Sequence, residues 1–212
     1  MKNICPLCKA SKTELFHSIK EKEFLKCSVC ELVFLKEQHR LSAEQEKERY
    51  DLHENDPNDQ DYRSFLNKLI SPMLKLIKKS DTGLDYGCGP GPTLSIMLEE
   101  KGYDVEHYDP IYFANDKLLA RKYDFITCSE VVEHFYEPHA EFLKLKNMLK
   151  PQGFLGVMTN VMDEKVKFSE WHYPKDPTHV GFYSNKTFKW IEKEFGFNVI
   201  RARDNVVIYQ LS

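Results

Sequence analysis

The sequence has no long apolar run. Nowhere in its 212 residues do 18 apolar side chains follow one another, which argues against a helical membrane span. It has no excess of positive charge either. Lys and Arg number 30 against 33 Asp and Glu, and a formal net charge of −3 argues against a chain whose main task is gripping a phosphate backbone. The first residues, MKNICPLCKA, hold no apolar signal stretch, so export is not expected and a cytoplasmic location is. In that setting the six cysteines suit metal binding or free thiols better than disulfides. With 42% apolar and 13% aromatic residues, the chain can bury one core of ordinary size and carry a small appendage.

Four of the cysteines, Cys5, Cys8, Cys27 and Cys30, form a C-x2-C-x18-C-x2-C pattern. That spacing matches a zinc ribbon, in which two tight knuckles each donate two thiolates to a tetrahedral site. The stretch between them, TELFHSIKEKEFLKC, alternates loosely like a short hairpin. Residues 1–36 are therefore expected to be a small zinc ribbon, stapled by metal because it is too short to hold a core; docking of a nucleic acid or a partner is the other use of such a unit. Cys88 and Cys128 fall outside the pattern. Residues 37–80 are expected to form a helical linker and lid. A polar helical stretch leads into YDLHENDPNDQDY, which is expected to offer His53 and Tyr62 to a site beneath it. Tyr62, Phe65, Leu66, Leu69, Ile70, Met73 and Ile77 then share one helical stripe, which Pro72 should kink or split.

From residue 81 to 212 strands alternate with helices. TGLDYGC, YDVEHYD, YDFITCS and FLGVMTN read as strands. GPTLSIMLEEKG, HAEFLKLKNMLKPQG and SNKTFKWIEKEFG read as helices, and FNVIRA and NVVIYQL close the chain as two more strands. This order implies an α/β, doubly wound, mainly parallel sheet, whose ligands bind at the carboxyl ends of the strands.

LDYGCGPGP, between the first strand and its helix, supplies glycines for a tight turn and for close backbone approach to a ligand. Pro92 stands where a dinucleotide fingerprint needs Gly or Ala, so a nicotinamide cofactor is disfavoured. The stretch instead resembles motif I of the class I S-adenosylmethionine-dependent methyltransferases, D-x-G-C-G-x-G, with matches at Asp85, Gly87, Cys88, Gly89 and Gly91. That resemblance implies a Rossmann-like fold and S-adenosylmethionine as cofactor, with Gly87 and its neighbours against the methionine part. Asp109, 22 residues after Gly87, would accept the ribose hydroxyls, and Ser129 would close the same site. Only 14 residues separate Asp109 from YDFITC, so the third-strand region should be shortened or lost. The family's adenine-contacting acid then has no clear counterpart; Asn115, Asp116, Leu118 and Leu119 are the available candidates.

CSEVVEHF follows the strand YDFIT. Glu130, Glu133 and His134, at i, i+3 and i+4, would share one face of a helix near the reacting methyl. The segment resembles E-V-x-E-H of ubiquinone-type O-methyltransferases. The small-RNA 3′-terminal 2′-O-methyltransferases use a similar segment, with a later histidine, to hold a divalent metal; His179 is that later histidine here. Glu130, Glu133, His134 and His179 would then hold magnesium, manganese, iron or zinc. Without metal, a histidine would be general base with a glutamate orienting it, or the acids would simply favour a first helical turn. Trp171, His172, Tyr173, Asp176, Phe182 and Tyr183 in the following loop suggest a substrate wall.

Nearly the whole chain resembles a group of bacterial zinc-ribbon methyltransferases marked by LDYGCGPGP, YDFITCSEVVEHF and DPTHVGFY. This implies methyl transfer, first of all to an oxygen of a small-molecule acceptor, with or without a second divalent metal. An RNA methyltransferase reading the acceptor through its ribbon is the rival within the class, although an NPPY-type segment is absent. A non-catalytic S-adenosylmethionine-binding interaction module is the rival outside it.

Overall fold

The computed structural model describes residues 3–52 and 56–212; His53, a candidate above, lies outside the described residues. The chain opens with β1 (Thr13–Ile19), β2 (Lys22–Cys27) and β3 (Val33–Leu35). Two helices follow, α1 (Ala43–Tyr50) and α2 (Gln60–Met73). Then come β4 (Thr82–Tyr86), α3 (Thr93–Glu99), β5 (Asp104–Tyr108), α4 (Asp116–Leu119) and β6 (Tyr123–Ser129). The chain closes with α5 (Pro138–Met148), β7 (Leu149–Met158), β8 (Gly181–Phe182), α6 (Asn185–Phe195), β9 (Phe197–Arg203) and β10 (Val206–Leu211).

Local chemistry sets most of these boundaries. Asp59 caps α2, accepting from the Asp61 and Tyr62 amides, and Ser184 and Thr187 form a capping box on α6. Gly196, at φ 68°, ends α6 in the left-handed conformation. Pro72 does not split α2; it sits in the last turn, and the helix stops one residue later. The helix expected over HAEFLKLKNMLKPQG is shorter than its pattern. α5 ends at Met148, because Lys150 precedes Pro151 and is driven to extended backbone, so β7 begins at Leu149.

β5, β4, β6 and β7 run parallel, and β10 and β9 add to them antiparallel, in the order β5-β4-β6-β7-β10-β9. The expected α/β, mainly parallel sheet is therefore present. So is the shortened third-strand region: β5 is an edge strand, and between it and β6 lie only the Asp109–Phe113 bridge and the single turn of α4. Period-two alternation directs the strands to two cores. Val206 and Ile208 of β10 face Leu66, Leu69, Ile70 and Met73 of α2 and Leu94 and Leu98 of α3. Val207 and Tyr209 face the side holding Phe142 and Leu145 of α5 and Phe188 and Ile191 of α6. Gly156 lets α2 lie close on the sheet; a Cβ there would stand 2.9 Å from the Met73 sulfur.

The cysteine-bearing N-terminal segment is built into this body. β1, β2 and β3 form an antiparallel sheet completed by β8, with Val33 opposite Phe182 and Phe34 opposite Gly181. Cys5, Leu7, Cys30 and Phe34 share one core cluster with Phe142 and Tyr183. No helix of the described residues is long and apolar enough to cross a membrane.

Candidate active site

Strand order reverses at β4. The chain leaves β4 through α3 for β5 on one side and returns to β6 on the other, so the carboxyl ends of these strands open a crevice. A cleft of about 1030 Å³ lies there, at the upper end of the range for small-molecule sites and large enough for a cofactor and an acceptor together.

One end of the cleft is the turn after β4. Gly87 and Gly89 have φ of 79° and 65°, where any other L-residue is strained. The turn is held by the Gly87 and Cys88 amides, which donate to the Tyr108 carbonyl at 2.7 and 3.2 Å, and by the Gly89 amide, which donates to Asp109 Oδ2 at 3.0 Å. Asp109 Oδ1 accepts from the Ile111 and Tyr112 amides, so this carboxylate is locked at the β5 end, in the wall of the cleft. Asp85 is 3% exposed. It accepts from Thr127 Oγ1 at 3.1 Å, and burial pushes its carboxyl up to about 7. Ser129 Oγ, also on the cleft wall, is buried and has no hydrogen-bond partner.

All seven residues predicted for the cofactor, Asp85, Gly87, Cys88, Gly89, Gly91, Asp109 and Ser129, line this one cleft. The donor set suits S-adenosylmethionine. A carboxylate stands ready for vicinal hydroxyls, a second buried carboxyl would be relieved by a cationic group, and an orphan hydroxyl awaits a polar partner. The adenine candidates are placed elsewhere. Leu118 is in the core, Asn115 caps α4, and the cleft is lined beyond Asp109 by Pro110, Ile111 and Tyr112.

The other end of the cleft carries the acids and histidines. The helix expected for Glu130–His134 is absent. Glu130 takes a φ of 53° directly after β6, and a single 3₁₀ turn covers Val132–His134. The Glu130 amide donates to the Met158 carbonyl at 2.7 Å, which fixes this reversal against β7. The turn still converges its side chains, by another route. Glu133 is fully buried; Thr159 Oγ1 donates to its Oε2 at 2.9 Å and the Tyr173 hydroxyl donates to its Oε1. Tyr173 Oη also lies 3.2 Å from Glu130 Oε2 and accepts from the Asn160 amide at 3.4 Å. With one proton of its own, Tyr173 can bond both carboxylates only if one of the two acids carries a proton. That agrees with the electrostatics: burial pushes the Glu130 carboxyl up to about 7, and burial together with the Glu130 charge pushes Glu133 to about 8.

His134 and His179 meet edge to face with ring centroids 4.8 Å apart. The Nδ1 of His134 faces the Thr178 carbonyl at 3.1 Å, and that of His179 faces the Tyr173 carbonyl at 2.8 Å. Nδ1 must therefore carry the proton, which puts each lone pair on Nε2, the arrangement of a metal ligand or a general base. One ligand atom each from Glu133, His134 and His179 lies within 4.8 Å of the others. Glu130 is outside that group and joins it through Tyr173.

The predicted wall divides. His172, Tyr173, Asp176 and His179 line the cleft, whereas Phe182 and Tyr183 are fully buried and Trp171 packs against the Phe24–Phe168 cluster. Tyr62 does reach the cleft from α2, and α1 contributes Glu46, Arg49 and Tyr50. Arg49 Nη2 pairs with Asp176 at 3.2 Å. The bridging role of Tyr173 escaped sequence reasoning, as did the individual residues Glu46, Arg49 and Tyr50, although 37–80 is expected from the sequence to be a lid. A tyrosine directly after a histidine carries no periodic signal, and α1 is polar on nearly every face.

The four N-terminal cysteines gather separately, with sulfurs within 4.8 Å of one another, the closest pairs being Cys5–Cys30 at 3.5 Å and Cys8–Cys27 at 3.4 Å. A tetrahedral zinc–thiolate site has sulfur edges of roughly 3.8 Å, so the set has the right size. The Cys30 hydrogen bond holds the Cys5 thiol down at about 6 while burial pushes Cys8 up to about 12, so the cluster shares protons it would release to a cation.

A family model described as a methyltransferase domain matches residues 59–202, more than half of the chain. A ubiquinone biosynthesis O-methyltransferase of Marinobacter nauticus is 31% identical over 93 residues, which cover 43% of this chain and 39% of that protein. The chain thus spans about a third of the length of the curated relatives it matches. Among solved structures, an S-adenosylmethionine-dependent methyltransferase of Archaeoglobus fulgidus covers 70% of this chain and 94% of its own, with a TM-score of 0.54 at 16% identity. The magnesium protoporphyrin IX methyltransferase of Synechocystis PCC 6803 covers 79% of this chain and 93% of its own, with a TM-score of 0.53 at 14% identity. At such identities the two structures show a common fold.

Proposed function

The chain belongs to the methyltransferase domain family, and from that premise we propose that it transfers the methyl group of S-adenosylmethionine to an oxygen of a small-molecule acceptor. The observation that carries this reading is the joining of two chemistries in one cleft. The glycine turn with Asp85 and Asp109 lies at one end, and Glu130, His134 and His179 lie at the other. The sulfonium cofactor supplies an electrophilic methyl, a divalent cation held by Glu133, His134 and His179 would acidify a nearby hydroxyl, and zinc would staple the four cysteines.

The chain's own residues do the rest. Displacement at a sulfonium methyl needs the acceptor oxygen in line and stripped of its proton. Where no cation is held there, Nε2 of His134 or of His179 would take that proton, each ring being oriented by its Nδ1 contact with the carbonyl of Thr178 or of Tyr173. Tyr173 and Thr159 keep Glu133 aimed at the histidines, and Tyr50, edge-on to His134 at 5.4 Å, helps cover the site from α1. The domain boundaries read from the sequence, 1–36, 37–80 and 81–212, are retained as units of this proposal, with 37–80 as the lid. A net charge of −3 favours small acceptors over RNA.

Purified protein would be incubated with S-adenosylmethionine and separate panels of phenols and catechols, amines, and transfer or ribosomal RNA. S-adenosylhomocysteine would be followed by mass spectrometry with and without added magnesium or manganese. Product only with the oxygen acceptors is expected. Product confined to RNA or amines would overturn the acceptor class, and cofactor binding with no turnover on any panel would favour the non-catalytic module.

A further inference from the structure

We infer that the four-cysteine unit is a positioning element for the acceptor end of the cleft: a metal ion on Cys5, Cys8, Cys27 and Cys30 holds in register the two segments that carry Glu133–His134 and His179. The inference rests on assigning that end of the cleft to the acceptor, as above, and adds the means by which it is kept in shape.

Two separate threads run from the thiols to the site. The knuckle Cys27–Cys30 continues within three residues into β3, which pairs with β8. At the end of that ladder the Leu35 amide donates to the Val180 carbonyl at 2.9 Å, and the Val180 amide donates to the Glu133 carbonyl at 2.8 Å. Val180 directly follows His179. The chain segment bearing one candidate ligand is thus sandwiched between the ribbon and the segment bearing the other two.

The second thread starts at the other knuckle. The Leu7 carbonyl, between Cys5 and Cys8, lies 2.9 Å from His139 Nδ1, and Lys9 pairs with Glu137 at 2.5 Å. Both partners lie just past His134, at the start of α5. A buried strut joins the two threads. Tyr183 packs in the cluster with Cys5 and Cys30, and its hydroxyl donates to the Val132 carbonyl at 2.8 Å. One knuckle therefore reaches the segment that carries His179, and the other reaches the chain just after the histidine turn.

The cofactor end is held differently. Its glycine turn is bonded to Tyr108 and Asp109, inside the main sheet. Four clustered sulfurs without a cation repel or must share protons, and that strain falls on the segment's shared core and on the β3–β8 ladder next to the acceptor end. Loss of the metal should therefore loosen the acceptor end first and leave the cofactor end nearly as it was.

The full-length holoprotein would be compared with protein stripped by a thiol-competing chelator and with Cys8→Ser, with metal content followed by elemental analysis. His139→Ala, which cuts one thread and leaves the thiols intact, keeps the test informative where the thiol variant fails to fold. Amide exchange and S-adenosylhomocysteine affinity are read in each. Metal loss is expected to raise exchange at residues 131–136 and 179–183 by about tenfold or more while cofactor affinity changes less than about threefold. His139→Ala is expected to raise exchange at 131–136 alone. Equal loosening of residues 84–109 with collapse of cofactor affinity would show a general staple and overturn the inference. Unchanged exchange, or a holoprotein with no metal on its thiols, would overturn it too. None of these readouts depends on which acceptor is methylated, so failure of the oxygen-acceptor proposal is told apart from failure of this one.

Discussion

Replacing Asp85 by Asn should make the protein more stable in mild alkali while weakening its hold on the cofactor. The side chain is 3% exposed, and burial raises its carboxyl from 3.8 to about 7. Below pH 3.8 both the folded and the unfolded chain keep the proton, and the buried group costs nothing as a charge. Between 3.8 and about 7 the unfolded chain gives up a proton that the folded chain retains, so stability falls as pH rises. Above about 7 both states are ionised and the loss is complete, at about 4 kcal/mol. Glu130 and Glu133 titrate in the same direction, so the informative quantity is the difference between wild type and Asp85→Asn. An amide oxygen can still accept from Thr127, which keeps the local packing comparable. Urea unfolding at pH 5 and pH 8.5 should show the variant gaining about 2 to 3 kcal/mol on the wild type between the two conditions. Calorimetry with S-adenosylhomocysteine at pH 8.5 should show affinity reduced by about tenfold or more, as a charge-assisted partner is lost. Parallel stability curves for the two proteins would refute the reasoning, as would undiminished cofactor affinity.

Three further outcomes follow from the site. Gly87→Ala would put a Cβ at a φ of 79° and 2.6 Å from Val131, so a backbone cost of about 1–2 kcal/mol comes with a clash; loss of cofactor-induced thermal stabilisation is the measurement. Tyr173→Phe removes the hydroxyl between Glu130 and Glu133 and leaves Glu133 with Thr159 alone, which should lower unfolding free energy by about 1–3 kcal/mol at pH 6 by urea titration. Equilibrium dialysis with manganese after thiol-bound metal has been counted should find one further ion in the wild type and none in His179→Ala; equal stoichiometry would remove the Glu133–His134–His179 site from the account.

Much of the fold was legible because its signals are local. The glycine turn between strand and helix, the Ser184 cap and the two cysteine pairs each announce themselves within a few residues. The missing strand was legible too, as a shortage of chain between Asp109 and Tyr123. The acid and histidine cluster was found by residue type but for the wrong geometric reason. Spacing of i, i+3 and i+4 suggested a helix, whereas the side chains converge because Glu130 reverses the backbone and Tyr173 reaches in from 40 residues away. Nor could β8 be foreseen. Two residues, Gly181 and Phe182, have no alternation to detect, and their pairing with β3 is decided by tertiary contacts alone.

That two-residue strand also has a bearing on how the chain is made. β3 ends at Leu35, yet its partner β8 is not synthesised until about 150 residues later. At translation rates of about 5–20 residues per second, the β1–β3 hairpin sheet waits roughly 7–30 s with an unpaired edge and four thiols exposed to solvent. Capture of a metal ion by the four cysteines would shield those thiols through the interval.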